Sequence, residues 1–63
     1  MASVKVRETG FFGEHGSKRL VLLKEGDEGK LVRSTGDLIL CEVTCRNSNR
    51  LVVAEIELEN VQH

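Results

Sequence analysis

Apolar residues along this chain recur at every second position, the period of a half-buried strand. Val4-Lys5-Val6-Arg7 puts two valines on one face and two cations on the other. Arg19 to Leu23 reads as a second extended segment, and Lys30-Leu31-Val32-Arg33 as a third. Leu38 to Cys45 is a longer strand, with Ile39, Cys41, Val43 and Cys45 on one face and Glu42 and Thr44 on the other. Leu51 to Glu59 sets Val52, Ala54, Ile56 and Leu58 against Glu55, Glu57 and Glu59. A one-residue slip of that run would bury three carboxylates, so the pattern itself selects its register. A helix over residues 53–61 is the competing reading, and the alternation favours strand. Leu58-Glu59-Asn60-Val61 predicts a short 3₁₀ turn.

Polar, glycine-bearing segments separate these runs. Glu25 to Gly29 and Ser34 to Asp37 read as turns, and Arg46-Asn47-Ser48-Asn49-Arg50 as a polar hairpin loop. The longest connection is Thr9 to Lys18, which holds both phenylalanines and three of the six glycines. Five short strands at hairpin spacing predict a small all-β antiparallel barrel, closed or half-closed. Closure removes the sticky strand edges of a small open sheet. With 63 residues the chain is one domain, 1–63, near the lower size limit for folding alone. The hydrophobic fraction of 40% argues against disorder.

No apolar run reaches membrane-spanning length, and Met1-Ala2-Ser3-Val4 carries no apolar signal-peptide core. The expectation is a cytoplasmic protein without membrane contact. A net charge of −1 gives no bulk attraction to nucleic acid. The halves differ: residues 1–24 carry five cations against Glu8 and Glu14, a net of +3. Residues 25–63 carry four cations against eight acids, a net of −4. That bipolarity suits pairing of the halves inside one barrel, or self-association, or a charged partner. Cys41 and Cys45 fall on one face of one strand, roughly 13 Å apart at about 3.3 Å per residue. A disulfide needs less than about 7 Å, so both are expected as buried, unpaired thiols. With no second Cys/His pair, a zinc site is not expected.

The run Gly26-Asp27-Glu28-Gly29-Lys30-Leu31-Val32 resembles the G-D-x-G-x-V element that opens many SH3-like small barrels, KOW and tudor-type modules among them. The likeness extends to a turn at Gly36, the strand pattern Cys41-Glu42-Val43, the polar hairpin Asn47-Ser48-Asn49, and a last apolar strand ending in a short turn. It implies an SH3-like barrel of five strands with a long first loop at residues 9–18, where such folds recognise partners. The chain departs from the functional variants. Tudor modules hold methylated side chains in an aromatic cage, and two adjacent phenylalanines cannot build one. RNA-binding KOW modules carry a stronger basic balance. The fold hosts unrelated activities, so function must come from a site.

Three candidate sites emerge. In an extended pair, Phe11 and Phe12 point to opposite sides, so one ring can enter the core while the other faces a partner. His15, Lys18 and Arg19 would form the polar rim. A basic surface of Lys5, Arg7, Arg46 and Arg50 is the nucleic-acid alternative, with a Phe stacking on a base; equally, these cations could be neutralised by Glu55, Glu57 and Glu59. His15 has neither nucleophile nor orienting acid nearby in sequence, and Gly13 to Lys18 lacks P-loop spacing. No catalytic, metal or cofactor motif emerges. The expectation is a non-enzymatic adaptor, subunit or inhibitor that contacts a protein through residues 10–19, with nucleic acid as the alternative partner and homo-oligomerisation as a further option.

Overall fold

In the computed structural model, which describes residues 2–62, each alternating run is a strand. They are β1 Ser3–Val6, β2 Gly10–Glu14, β3 Leu20–Leu23, β4 Glu28–Thr35, β5 Leu38–Thr44, β6 Leu51–Glu57 and β7 Val61–Gln62. The expected 3₁₀ turn is present at Leu58–Asn60. The strands form one antiparallel sheet in the order β3-β2-β6-β5-β4-β1-β7, curled into a half-barrel. The all-β, barrel-like class therefore holds, but with seven strands where the periodicity predicts five. One addition is the two-residue β7. The other is β2, which replaces the first half of the expected long loop.

The core explains why β2 forms. Phe12 pairs with Val21 across the β2–β3 ladder and packs on the buried cluster. Aromatic and β-branched cross-strand neighbours stabilise a pleated pair, so the two glycines at 10 and 13 do not prevent a strand. The cluster itself comprises Val4, Val6, Val21, Leu23, Ile39, Cys41, Val43, Cys45, Val52, Ala54, Ile56 and Val61. Both cysteines are buried and free. Leu58 was expected on the inner face, yet it is 40% exposed, because the 3₁₀ turn ends the period of two just before it.

Two local features bend the sheet. Between Leu31 and Arg33 the β4–β5 register shifts, leaving Val32 as a bulged, exposed residue. Such a bulge kinks its strand, and β4 meets β1 only over Glu28 to Lys30 while it follows β5 to Thr35. Near the start of β4, Gly29 lies against β5. A Cβ there would overlap Cys41 Sγ and approach the Glu42 carbonyl oxygen to 2.6 Å, so glycine is required by space. At the β4–β5 turn, Thr35 pairs with Leu38 and leaves a two-residue connection whose Gly36 has φ 57°. That left-handed first position is what a tight hairpin asks of glycine.

The free edge of β3 is covered by the β5–β6 loop. Arg46 N–H donates to Leu22 O at 3.0 Å. The Asn47 side chain receives Leu22 N–H and donates to Leu20 O, each at 3.4 Å. Arg46 is held in turn by Asp27, whose carboxylate accepts two Nε contacts and one from Nη2 at 2.5 to 3.1 Å. Asp27 also caps the 24–27 turn by accepting Lys24 N–H at 2.8 Å.

Candidate functional site

β2 runs beside β6 for only two residues. Gly13 pairs with Glu55 and Glu14 with Ala54, and towards Gly10 the strands part. The wedge between them is a groove of about 610 Å³ lined by Arg7 to Gly13, Glu55, Glu57, Glu59 and Asn60. Gly10, Phe11 and Phe12 have β3 on one edge and no strand on the other.

Strand parity assigns the faces. Phe12, Val21, Ala54 and Ile56 point inward, so Phe11, Leu22, Glu55 and Glu57 point outward. Phe11 is 64% exposed, and it faces Leu22 across the ladder. The pair of rings is thus divided: Phe12 serves the core and Phe11 stands on the surface. Leu20, 60% exposed, lies opposite Gly13 on the same outer face. Glu55 bends over Gly13, so close that a Cβ there would lie 3.5 Å from Oε1. Its Oε2 receives His15 Nδ1 at 3.0 Å.

Electrostatically the groove is acidic. Glu8, Glu55, Glu57 and Glu59 face one cation, Arg7, whose Nη1 donates to the Glu59 carbonyl oxygen at 3.4 Å rather than to a carboxylate. Glu57 and Glu59 crowd each other. The hydrogen bond between their side chains, reinforced by like-charge repulsion, raises the Glu57 carboxyl above the usual range. On the far side of this pair lies a second hollow, bounded by Asp37, Leu38 and Leu58.

The structure gathers only part of the expected sites. Phe11 and Phe12 line the groove, and His15 closes its end through Glu55. Lys18 lies in the β2–β3 connection, and Arg19 lies with Arg50 along a separate cleft beside Asn47 and Ser48. The four cations of the nucleic-acid alternative are scattered. Lys5 lies on β1, Arg7 is in the acidic groove, Arg46 is paired with Asp27, and Arg50 adjoins Arg19. Of the four, only Arg7 lines the groove that holds Glu55, Glu57 and Glu59. Sequence reasoning takes Glu55, Glu57 and Glu59 only as acids that could neutralise the cations; their spacing is the signal for the acidic wall that the groove shows.

Cys45 is the chain's chemically distinctive thiol. Its Sγ bonds to Asn47 Oδ1; burial pushes its pKa up, but the polar groups of Ser48, Asn47 and Leu22 around the sulfur outweigh burial and leave it below the usual value. With 1% exposure it is shielded from reagents. Cys41 shifts the other way, raised by burial and then by the Glu42 charge. No protein-family model, curated protein or solved structure matches the chain.

Proposed function

We propose that this protein is a non-enzymatic binding module, an adaptor, subunit or small inhibitor, that grips another protein through the β2–β3 hairpin. The observation that carries the reading is the exposed ring of Phe11 at the lip of a groove, held on a strand whose neighbouring residue, the half-buried Phe12, packs against the core. Large aromatic anchors beside a pocket dominate many protein interfaces. An SH3-like barrel is the finer description of the fold we favour. Its support is the succession of parts: an N-terminal strand, a long excursion over residues 10–23, a three-strand meander, a short turn and a last strand.

The rim differs in part from the one foreseen. Glu55 and Glu57 line the groove with Phe11, His15 reaches it through Glu55, and Lys18 and Arg19 lie towards the hairpin's far end. A nucleic-acid partner has less support, since Arg46 is engaged by Asp27 and Arg7 stands among carboxylates. The deciding experiment is affinity capture by wild-type chain and by Phe11→Ser, with far-UV circular dichroism as a folding control. The expected result is a specific protein retained by wild type and lost by the variant. Retention by folded Phe11→Ser refutes the anchor. Oligonucleotide binding at low salt that weakens as salt rises favours the alternative.

A further inference from the structure

An open strand edge invites another chain, and proteins blunt such edges with covers, bulges or charges. Besides the outer side of the two-residue β7 at the end of the sheet, three edges among the described residues lack a full-length strand partner. The β3 edge is covered by the Arg46 amide and the Asn47 side chain. The second half of β4, beyond its pairing with β1, carries the Val32 bulge and the charge of Arg33. The third edge, Gly10 to Phe12, carries neither bulge nor charge nor cover. It faces the groove, and the groove's wall is acidic. Resting on the reading of the hairpin as a partner surface, we infer that the groove takes an extended segment of another protein with Lys or Arg at alternate positions.

The geometry selects that chemistry in three ways. Main-chain groups of an extended segment can bond to the open edge of β2, the strand-addition mode of recognition. Glu55 and Glu57 lie two residues apart on one face, about 6.6 Å, which matches the same-face spacing of an extended partner. Outward Lys or Arg stems of such a partner would lie against Phe11 while their charged heads reach the carboxylates. Inward residues of the partner would face Phe12, which asks for apolar side chains there. A second copy of this chain fits poorly, because a two-fold contact on this face opposes Glu55 and Glu57 to their own counterparts.

The test uses three synthetic twelve-residue peptides in which Val alternates with Lys, with Ser or with Glu. Dissociation constants come from fluorescence anisotropy at low salt and at 0.3 M salt, and the site from amide shifts of labelled protein. The Lys peptide should bind tightest, shift the amides of Gly10 to Gly13, and weaken with salt. Each exposed ion pair is worth roughly twofold in affinity, so Glu55→Gln/Glu57→Gln/Glu59→Gln should weaken it about tenfold. Equal binding of the Ser and Lys peptides at Gly10 to Gly13, lost in Phe11→Ser, overturns the cationic choice and leaves the anchor standing. Lys-peptide binding that ignores Phe11→Ser overturns the anchor reading. Shifts confined to Val32 to Thr35, or no shifts for any peptide, overturn the site itself.

Discussion

Gly29→Ala tests the packing argument most directly. The added Cβ would stand 2.6 Å from the Glu42 carbonyl oxygen and 3.0 Å from Val43 Cβ, besides overlapping Cys41 Sγ. Ordinary contact begins near 3.4 Å, so β4 or β5 must move by about 0.8 Å to clear the carbonyl. The thiol can rotate away; the carbonyl and the Cβ cannot, since both belong to the β5 backbone framework. Overpacking a filled core costs about 1–3 kcal/mol, and immovable neighbours place this case near 3 kcal/mol. A 63-residue domain has a total stability of roughly 3–9 kcal/mol at ~0.05–0.15 kcal/mol per residue. The variant should therefore lose a third or more of its stability. Urea unfolding followed by circular dichroism measures this, with a midpoint lowered by about 3 M at a slope of about 1 kcal/mol/M. Gly10→Ala is the matched control, because its Cβ would meet only the Phe12 ring edge at 4.0 Å. It should stay within about 0.5 kcal/mol of wild type. Indistinguishable midpoints for Gly29→Ala and Gly10→Ala would refute the close-approach account.

Three further outcomes are expected. The Arg46 hydrogen bonds hold the Asp27 carboxyl below its usual value, with the Lys24 amide assisting; a lowered folded pKa stabilises above the unfolded value near 3.8 and is lost as pH falls through the folded one. Asp27→Asn should thus be less stable than wild type at pH 7, with the gap closing in acid, as read by thermal melts across pH 2–7. For Glu57 the sign reverses: a raised folded pKa means stability present below 4.5 and lost as pH rises through the folded value, so Glu57→Gln should melt above wild type at pH 7 and beside it in acid. Asn47→Ala should remove two bonds to β3, about 0.5–1.5 kcal/mol each, and speed hydrogen exchange at Leu22 while Ile56 stays protected.

What could be read in advance follows the range of the interaction concerned. Val52, Ala54 and Ile56 alternate strictly with their neighbours, and all three are buried where the period of two puts them. The same rule placed Val4, Val6, Ile39, Cys41 and Val43. Leu58 defeated it, since a single turn of 3₁₀ geometry after Glu57 breaks the period. β2 was hidden differently. Its inward set is Gly10, Phe12 and Glu14, and its outward set Phe11 and Gly13, so glycine and glutamate mask the alternation. Only partners at Val21 and Ala54 reveal it, and Ala54 is forty residues from Glu14. The division of the two rings was legible from chain geometry; which ring took which role was settled by the partners of Phe12. The groove was not legible at all, because it exists only where β2 and β6 diverge.

A groove binds well when it is formed before its ligand arrives, because ordering a loop on binding subtracts from affinity. The hairpin that carries Phe11 is fastened on three sides. Gly13 and Glu14 join it to β6, and His15 N–H continues that edge by donating to Val53 O at 2.8 Å. Asn47 and the Arg46 amide hold its outer strand. At its base, Glu25 N–H donates to Thr9 Oγ1 at 2.9 Å. Arg46 is fixed in turn by Asp27, and Asp27 O accepts Val6 N–H at 2.9 Å, so the restraint reaches β1. The fastenings at Gly13 and Thr9 bound the wedge at its ends, and the others lie outside it. The only hairpin backbone left without a neighbour on one side is Gly10 to Phe12, the stretch that borders the groove. An exposed aromatic on a restrained strand presents its surface at little entropic cost, whereas the same ring on a free glycine loop would have to be ordered by its partner.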